Sequence, residues 1–377
     1  MNHVARWAWA EVDLAAIQHN VGVLREMAAP SELWVVVKAD GYGHGAVPVA
    51  RTALAAGAHG LCVALTHEGV ELRAAGITEP ILVLSEQPPE HAEMLVLHDL
   101  IPTVYSEAAV YQLAEAVERS STSRPYPVHI KVDTGMHRVG LAPSDLAAFL
   151  QLLQAMADVL KVEAIFTHLA VADEPSRSYT EHQLGTFDDA LRASGNDSDM
   201  VTHVANSAGL LAHRTAHRSL VRAGIAMYGI SPGSGVDGLA GNLRPALSLK
   251  ARVSFVKRLH AGDMISYGLR HTFTKSTTVA TIPIGYADGV PRRLFAVGGE
   301  VLLGGKRRSI VGVVTMDQLM VDCGDDDIAI GDEAVLIGDQ GGERVTAAEW
   351  ANRLDTIPYE IVCGISKRVQ RFYLGAS

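Results

Sequence analysis

Cysteine is scarce in this chain. Cys62, Cys323 and Cys363 are the three in 377 residues. They are odd in number, far apart and without Cys-x-x-Cys spacing, which argues against a disulfide framework or a zinc knuckle and fits a reducing compartment. Long apolar runs are lacking too. None reaches the roughly 18 residues that suggest a membrane span, and Glu11 and Asp13 stand where a signal peptide needs an apolar core. Basic runs are missing. Lysine and arginine total 32 against 42 acidic residues, a net charge of −10, so nucleic acid is not expected as a partner. No His-Glu-x-x-His pattern or cysteine–histidine cluster has metal-ligand spacing, and no metal is expected. The sixteen histidines are scattered, most of them expected at the surface or behind the site. These absences predict a soluble cytoplasmic protein without membrane contact.

What is present is apolar mass and rhythm. An apolar share of 48% with 20% charged residues suits large buried cores, and the length suits two domains. Apolar, strand-like runs fall at residues 33–38, 60–64, 80–84, 101–104, 128–132, 162–167, 200–205 and 220–224. Alanine- and leucine-rich stretches with helical spacing lie between them, for example at 46–56, 108–117 and 146–160. Eight strands alternating with helices predict an α/β fold, a (β/α)₈ TIM-like barrel over residues 1–240. An open doubly wound sheet is the rival. Past Gly241 the texture changes to short β-rich runs at 247–256, 264–267, 278–284, 300–303, 310–314 and 333–337, with helices at 347–354 and 356–363. Residues 241–377 therefore read as a second, mostly β domain.

The densest chemical signal is Lys38, which closes the run Leu33-Trp34-Val35-Val36-Val37 and precedes Ala39-Asp40-Gly41-Tyr42-Gly43-His44-Gly45. A lysine carried half desolvated to the mouth of a barrel core has the lowered pKa that a Schiff-base lysine needs. A strand-end lysine reaching to water is the ordinary alternative, and the glycine-rich turn tips the balance to function. Barrel active sites lie at the C-terminal ends of the strands, with phosphate bound near the last two. Lys131 and Asp133 end the fifth run, His168 the sixth, Asn206-Ser207 the seventh and Arg222-Ala223-Gly224-Ile225 the eighth. Ionisable residues thus gather at one rim.

These motifs, with Trp9-Ala10-Glu11-Val12-Asp13-Leu14 near the start and Ile361-Val362-Cys363-Gly364-Ile365-Ser366-Lys367-Arg368 near the end, resemble the alanine racemases, which use pyridoxal 5'-phosphate (PLP). The resemblance runs over nearly the whole chain. It implies that Lys38 joins covalently to PLP and that Ser207, the amides of Gly224 and Ile225, Tyr42 and Tyr359 hold its phosphate. Read alone, Ser207 would be a helix cap and the two tyrosines core aromatics. Arg222 is implied to face the pyridine nitrogen, oriented by His168. A guanidinium cannot protonate the ring as an acid would, which favours racemisation over transamination. The ordinary alternatives are a buried ion pair for Arg222 and a satisfied core histidine for His168.

Arg138 resembles the arginine that meets the PLP phenolate and the substrate carboxylate. Lys131 resembles a lysine carried as a carbamate, with a salt bridge as its alternative. Tyr267, in Ile265-Ser266-Tyr267-Gly268, is implied to be the second catalytic base beside Lys38, delivered to the partner subunit of a homodimer. Without the resemblance it would be a packing residue at a strand end. Tyr286 matches the position that narrows the entrance, and Met316 and Asp317 match the segment that meets the substrate carboxylate. One departure stands out. Thr315 precedes Met316-Asp317-Gln318, where many members carry cysteine, and this loosens the expected preference for alanine over serine. The resemblance implies two-base interconversion of L- and D-alanine, supplying D-alanine for peptidoglycan. A serine or broad-specificity racemase is the alternative. A PLP decarboxylase on a similar scaffold would pair the ring nitrogen with an acid, and Arg222 argues against it. A non-catalytic PLP-binding barrel would lack the β-rich stretch after Gly241.

Overall fold

Strand β1 (Ala8–Asp13) does not join the strands that follow it. In the computed structural model, which describes residues 6–195 and 200–375, it pairs antiparallel with β10 (Leu247–Arg252) and parallel with the last strand (Gln370–Leu374). The chain divides into two compact units. One comprises Ala16–Gly41 and Ala46–Arg244; the other comprises the residues up to Ala15, Tyr42–Gly45 and the chain from Pro245 on. A cut between residues 240 and 241 leaves β1 and Tyr42–Gly45 out of the second unit.

The first unit is a closed parallel barrel. Its strands are β2 (Glu32–Val36), β3 (Gly60–Val63), β4 (Ile81–Val83), β5 (Ile101–Val104), β6 (Tyr126–Lys131), β7 (Leu160–Phe166), β8 (Val201–His203) and β9 (Leu220–Ala223), and β9 pairs back onto β2. The eight runs read from the sequence are these eight strands, and the open sheet is excluded by the closure. Leu33 and Val35 are fully buried and Trp34 and Val36 nearly so, because helices cover the outside and side chains fill the inside of such a sheet. Gly60 lies opposite Trp34 in register, and a Cβ there would stand 2.7 Å from the indole. The helix Glu107–Arg119 shows how the outer layer forms. Ser106 caps it by accepting the Ala109 amide at 3.3 Å, and Val110, Leu113, Ala114 and Val117 form its buried stripe. The helix expected over 146–160 stops at Gln154. Its last residue, Leu160, instead opens β7, since the chain must turn before the strand can pair with β6.

The second unit holds β1, β10 and β11 (Phe255–Leu259), β12 (Met264–Ile265), β13 (His271–Thr272), β14 (Thr277–Ile282), β15 (Glu300–Leu303), β16 (Lys306–Ser309), β17 (Leu319–Gly324), β18 (Glu333–Gln340), β19 (Glu343–Val345) and β20 (Gln370–Leu374). The large sheet runs β16-β15-β18-β10-β1-β20, and β11-β14-β17 form a smaller one. The run 247–256 is two strands. Val253 donates to Asp332 O in one sheet, and Ser254 then donates to Thr281 O in the other, so the chain changes sheets at that point. The run 310–314 is irregular, with one bridge from Ile310 to Val321. Gly312 there has φ 70°, and a Cβ on it would lie 2.7 Å from that of Ser266. The helices Ala347–Leu354 and Pro358–Cys363 match expectation. No helix among the described residues is long and apolar enough to cross a membrane.

Candidate active site

Lys38 stands two residues past the end of β2, half-buried, and begins a left-handed turn. Ala39, Asp40 and Tyr42 have φ of 52°, 52° and 51° alongside Gly41 at 60° and Gly43 at 79°. The sequence suggested a turn carried by glycine, yet three of its residues bear side chains, each at a cost of about 1–2 kcal/mol. The turn is held by the Gly41 amide on Val37 O at 2.9 Å, the Ala39 amide on Glu68 Oε1 at 2.6 Å and the Ala46 amide on Asp40 Oδ1 at 2.9 Å. Glu68 also accepts the amides of Ala64 and Leu65, tying the turn to the end of β3. Strain so firmly held is characteristic of sites where function sets the backbone.

Strand β6 delivers Lys131, which is buried with its ammonium 5.8 Å from the Phe166 ring centre. Burial lowers its pKa to about 8; the Arg138 and Arg222 cations push the same way and Asp133 opposes them. Among the described residues Lys131 makes no ion pair, and Asp133 acts on it only at longer range. Asp133 accepts the amides of Gly135 and His137, each at 3.0 Å, which folds the loop that carries the exposed Arg138. Burial works to raise the Asp133 carboxyl, but these amides outweigh it and hold it below its ordinary range.

Arg222, in β9, is buried. Nη1 meets His203 Nδ1 at 2.6 Å, and Nη2 meets Thr167 O at 2.9 Å, Val204 O at 3.1 Å and His168 Nδ1 at 3.3 Å. Its guanidinium carbon lies 5.2 Å from the Phe166 ring centre. Burial lowers its pKa to about 10, which leaves it charged at neutral pH. It makes no ion pair among the described residues, so the buried-pair alternative fails as well. Burial and the Arg222 cation hold both His168 and His203 well below the ordinary histidine value. Their neutral rings accept from the guanidinium. Gln183 fixes the segment behind His168 by donating to His168 O at 3.1 Å and accepting the Ala170 amide at 2.8 Å.

Between β8 and the end of β9 lies a small polar cradle. Ser207 Oγ accepts the Gly224 amide at 2.9 Å and the Ala226 amide at 3.3 Å. The helix cap there is Asn206, whose Oδ1 accepts the Gly209 amide at 2.9 Å. A hydroxyl beside a run of amides after the last two barrel strands is the donor set a phosphate dianion takes. With a lysine and a charged guanidinium at the same barrel end, the residues fit PLP.

The second unit carries the remaining candidates. Tyr42 and Tyr359 stand with ring centres 6.0 Å apart. Tyr267 is 73% exposed and so is no packing residue. The strand before it stops at Ile265, and Ser266, at φ 65° with its hydroxyl on Val313 O at 2.8 Å, turns the chain outward. The turn Tyr286–Asp288 is stitched to the Met316 segment by the Tyr286 amide on Thr315 O and the Ala287 amide on Met316 O, each at 3.0 Å. A Cβ on Gly285 would stand 2.3 Å from Thr315 O, so only glycine allows this approach. Thr315 Oγ1 donates to Gln318 O at 2.8 Å and accepts the Gln318 amide at 3.2 Å, closing its own turn. Asp317 pairs with Arg368 at 2.6 Å.

The structure brings Lys131, His168, Ser207, Arg222, Gly224 and Ile225 into the barrel unit as expected by position. It also shows residues that sequence reasoning missed: His129, Glu163, Phe166 and His203. One signal was available, because His129 stands two residues before Lys131 and so shares its strand face.

Two family models match the chain: the alanine racemase N-terminal domain over residues 12–232 and the alanine racemase C-terminal domain over residues 246–373. The alanine racemase of Symbiobacterium thermophilum is 48% identical, covering 98% of both chains, and that of Halothermothrix orenii is 40% identical over 98% of this chain and 97% of the relative. Among solved structures, the alanine racemase of Streptomyces lavendulae superposes with a TM-score of 0.93 at 38% identity, covering 100% of this chain and 99% of that one. The Bacillus anthracis enzyme with bound L-Ala-P gives 0.91 at 40% identity, with 99% and 96% covered. A closed eight-stranded barrel with a strained lysine turn and a buried arginine, matched along its length by these relatives, makes this chain a member of the alanine racemase family and an amino-acid racemase.

Proposed function

We propose that this protein interconverts L- and D-alanine as a PLP-dependent homodimer in the cytoplasm, supplying D-alanine for peptidoglycan. The observation that best supports this is Arg222, a buried guanidinium between two neutral histidines at the place where a decarboxylase would present an acid. PLP, when bound, supplies the electron-withdrawing group that makes the substrate α-hydrogen acidic. Lys38 holds the cofactor and moves a proton on one face of the substrate. Tyr267, exposed in its own subunit and reaching the partner's site, moves one on the other face. A phenol has an ordinary pKa near 10 and needs cationic surroundings to act as a base. Arg222 can donate but never protonates the ring nitrogen, which keeps charge on the substrate carbon and favours return of the proton there.

Ser207 with the amides at Gly224 and Ile225 supports phosphate binding, and the family resemblance adds Tyr42 and Tyr359 to that role and His168 to the orientation of Arg222. Arg138 suits a bidentate grip on a carboxylate, and Tyr286, Met316 and Asp317 complete the substrate-facing set. Carbamylation of Lys131 needs a neutral amine, and a pKa of about 8 leaves an appreciable neutral share. With its hydroxyl committed to its own turn, Thr315 offers little to a serine side chain, which favours alanine.

The test is separate incubation of the purified protein with L-alanine, L-serine and L-lysine, followed by chiral chromatography. D-product from alanine alone supports the reading, D-serine as well moves it to a broader racemase, and release of carbon dioxide moves it to a decarboxylase. Borohydride should fix PLP to Lys38, and a label on Lys131 or Lys250 would displace that assignment.

A further inference from the structure

We propose that Glu163 is a positioning residue for Arg222, acting across the barrel interior through His129 and His203; its bearing on catalysis rests on the reading above that Arg222 serves the cofactor. Four side chains form a continuous line. Arg222 Nη1 lies 2.6 Å from His203 Nδ1, His203 Nε2 lies 3.0 Å from His129 Nδ1, and His129 Nε2 lies 3.2 Å from Glu163 Oε2. They come from β9, β8, β6 and β7. The three inner groups are buried, at 3%, 0% and 1% exposure, while the Glu163 side chain is 41% exposed.

The direction of this line is forced at both ends. A guanidinium has only donors, so His203 must accept at Nδ1 and carry its hydrogen on Nε2. That hydrogen can go only to His129 Nδ1, which must then be bare, so His129 too carries its hydrogen on Nε2. An ionised carboxylate has only acceptors, and Glu163 receives this last hydrogen. Reversing any link sets two donors face to face. The rings cannot easily turn away. His203 stacks on Phe166 at 4.5 Å with 10° between planes, the same ring that Arg222 overlies, and His129 sits 5.1 Å from His203.

The line also addresses a charge. Arg222 makes no ion pair among the described residues, and the carboxylate linked to it by hydrogen bonds is Glu163, two imidazoles away. Glu163 thus fixes the tautomer of both histidines and, through them, the plane of the guanidinium. Removing its acceptor frees His129 to carry its hydrogen on Nδ1, where it opposes the hydrogen of His203. One ring must then turn or take a second proton, and the 2.6 Å contact on Arg222 loosens.

The experiment uses the full chain with ¹⁵N-labelled histidine and two-bond ¹H–¹⁵N spectra, recorded with and without PLP. In the natural protein both His129 and His203 should be neutral with hydrogen on Nε2. Glu163→Gln keeps an oxygen acceptor and should keep both tautomers and near-normal turnover. Glu163→Leu should convert at least one histidine to the Nδ1–H or doubly protonated form. It should also weaken PLP retention on dialysis and lower alanine turnover by about tenfold, the scale typical of groups that orient a functional residue. Unchanged tautomers in Glu163→Leu, an Nδ1–H form in the natural protein, or a Gln variant as impaired as the Leu variant would each overturn the proposal. Tautomers that respond as stated in a protein that neither binds PLP nor racemises alanine would support the hydrogen-bond line while removing the functional reading above.

Discussion

Arg6 grips Asp288 with both terminal guanidinium nitrogens, Nη1 to Oδ1 at 2.5 Å and Nη2 to Oδ2 at 2.8 Å, although 282 positions separate them. Asp288 is fully buried and also accepts the Gly285 amide at 2.9 Å, while Arg368 approaches it at 3.5 Å. Arg6 donates further to Pro283 O at 2.8 Å. The grip therefore secures the turn on which Tyr286 is mounted. Arg6→Ala leaves a buried carboxylate short of its main partner and is expected to cost about 2 kcal/mol, measured by urea unfolding. A variant as stable as the natural protein would show that Arg368 alone suffices.

Tyr267→Phe removes a hydroxyl from an exposed side chain and should leave folding intact. If each turnover uses a group on either face of the substrate, as proposed, racemisation should be lost in both directions. In heavy water the variant should still exchange the α-hydrogen of D-alanine, through Lys38, with little exchange into L-alanine. Near-normal racemisation, or preferential washing into L-alanine, would reject the two-base assignment.

If Tyr267 serves the partner's site, two inactive chains can repair each other. Mixing Lys38→Ala with Tyr267→Phe should restore activity, since one site of the mixed dimer receives both intact residues in a two-fold assembly. Confirmed subunit exchange without recovery would mean that both groups come from one chain.

Three histidines of the barrel unit make a pH prediction. His129, His168 and His203 are all held below their ordinary value of 6.5, by burial first. Below that value the unfolded chain takes up protons that the folded chain refuses. Stability is then complete above about pH 6.5 and falls as the pH drops, by about 1.4 kcal/mol per histidine per pH unit. Urea midpoints measured downward from neutral pH should fall steeply, and a flat profile to pH 5 would contradict the neutral state of these rings.

Much of the fold was legible because barrel strands declare themselves. Each of the eight apolar runs became a strand, and the helices near 46, 108 and 347 began within a residue of expectation. Edge strands were not legible. Lys306–Ser309 is wholly polar and charged, and Gln370–Leu374 is short and mostly exposed, and an edge with one paired side and weak burial imposes little pattern on its sequence. The split at Val253 and Ser254 was hidden for the opposite reason: both halves read as strand, and only the choice of sheet separates them.

Residue chemistry together with local order decided where the lysine turn, the donors after the last strands and the arginine in β9 would lie, because strand ends and turns are set within a few neighbours. The tertiary structure alone decided that Ala39, Asp40 and Tyr42 take left-handed backbone. It alone gave Arg222 His203 and the carbonyls of Thr167 and Val204 as partners, and joined His129, Glu163 and His203 into one line. Those three residues are dispersed along the chain, and each taken singly is an ordinary strand residue. They meet because closing the barrel aligns β6, β7, β8 and β9 in one register, and a hydrogen bond forms only where that register sets a donor within about 3 Å of an acceptor.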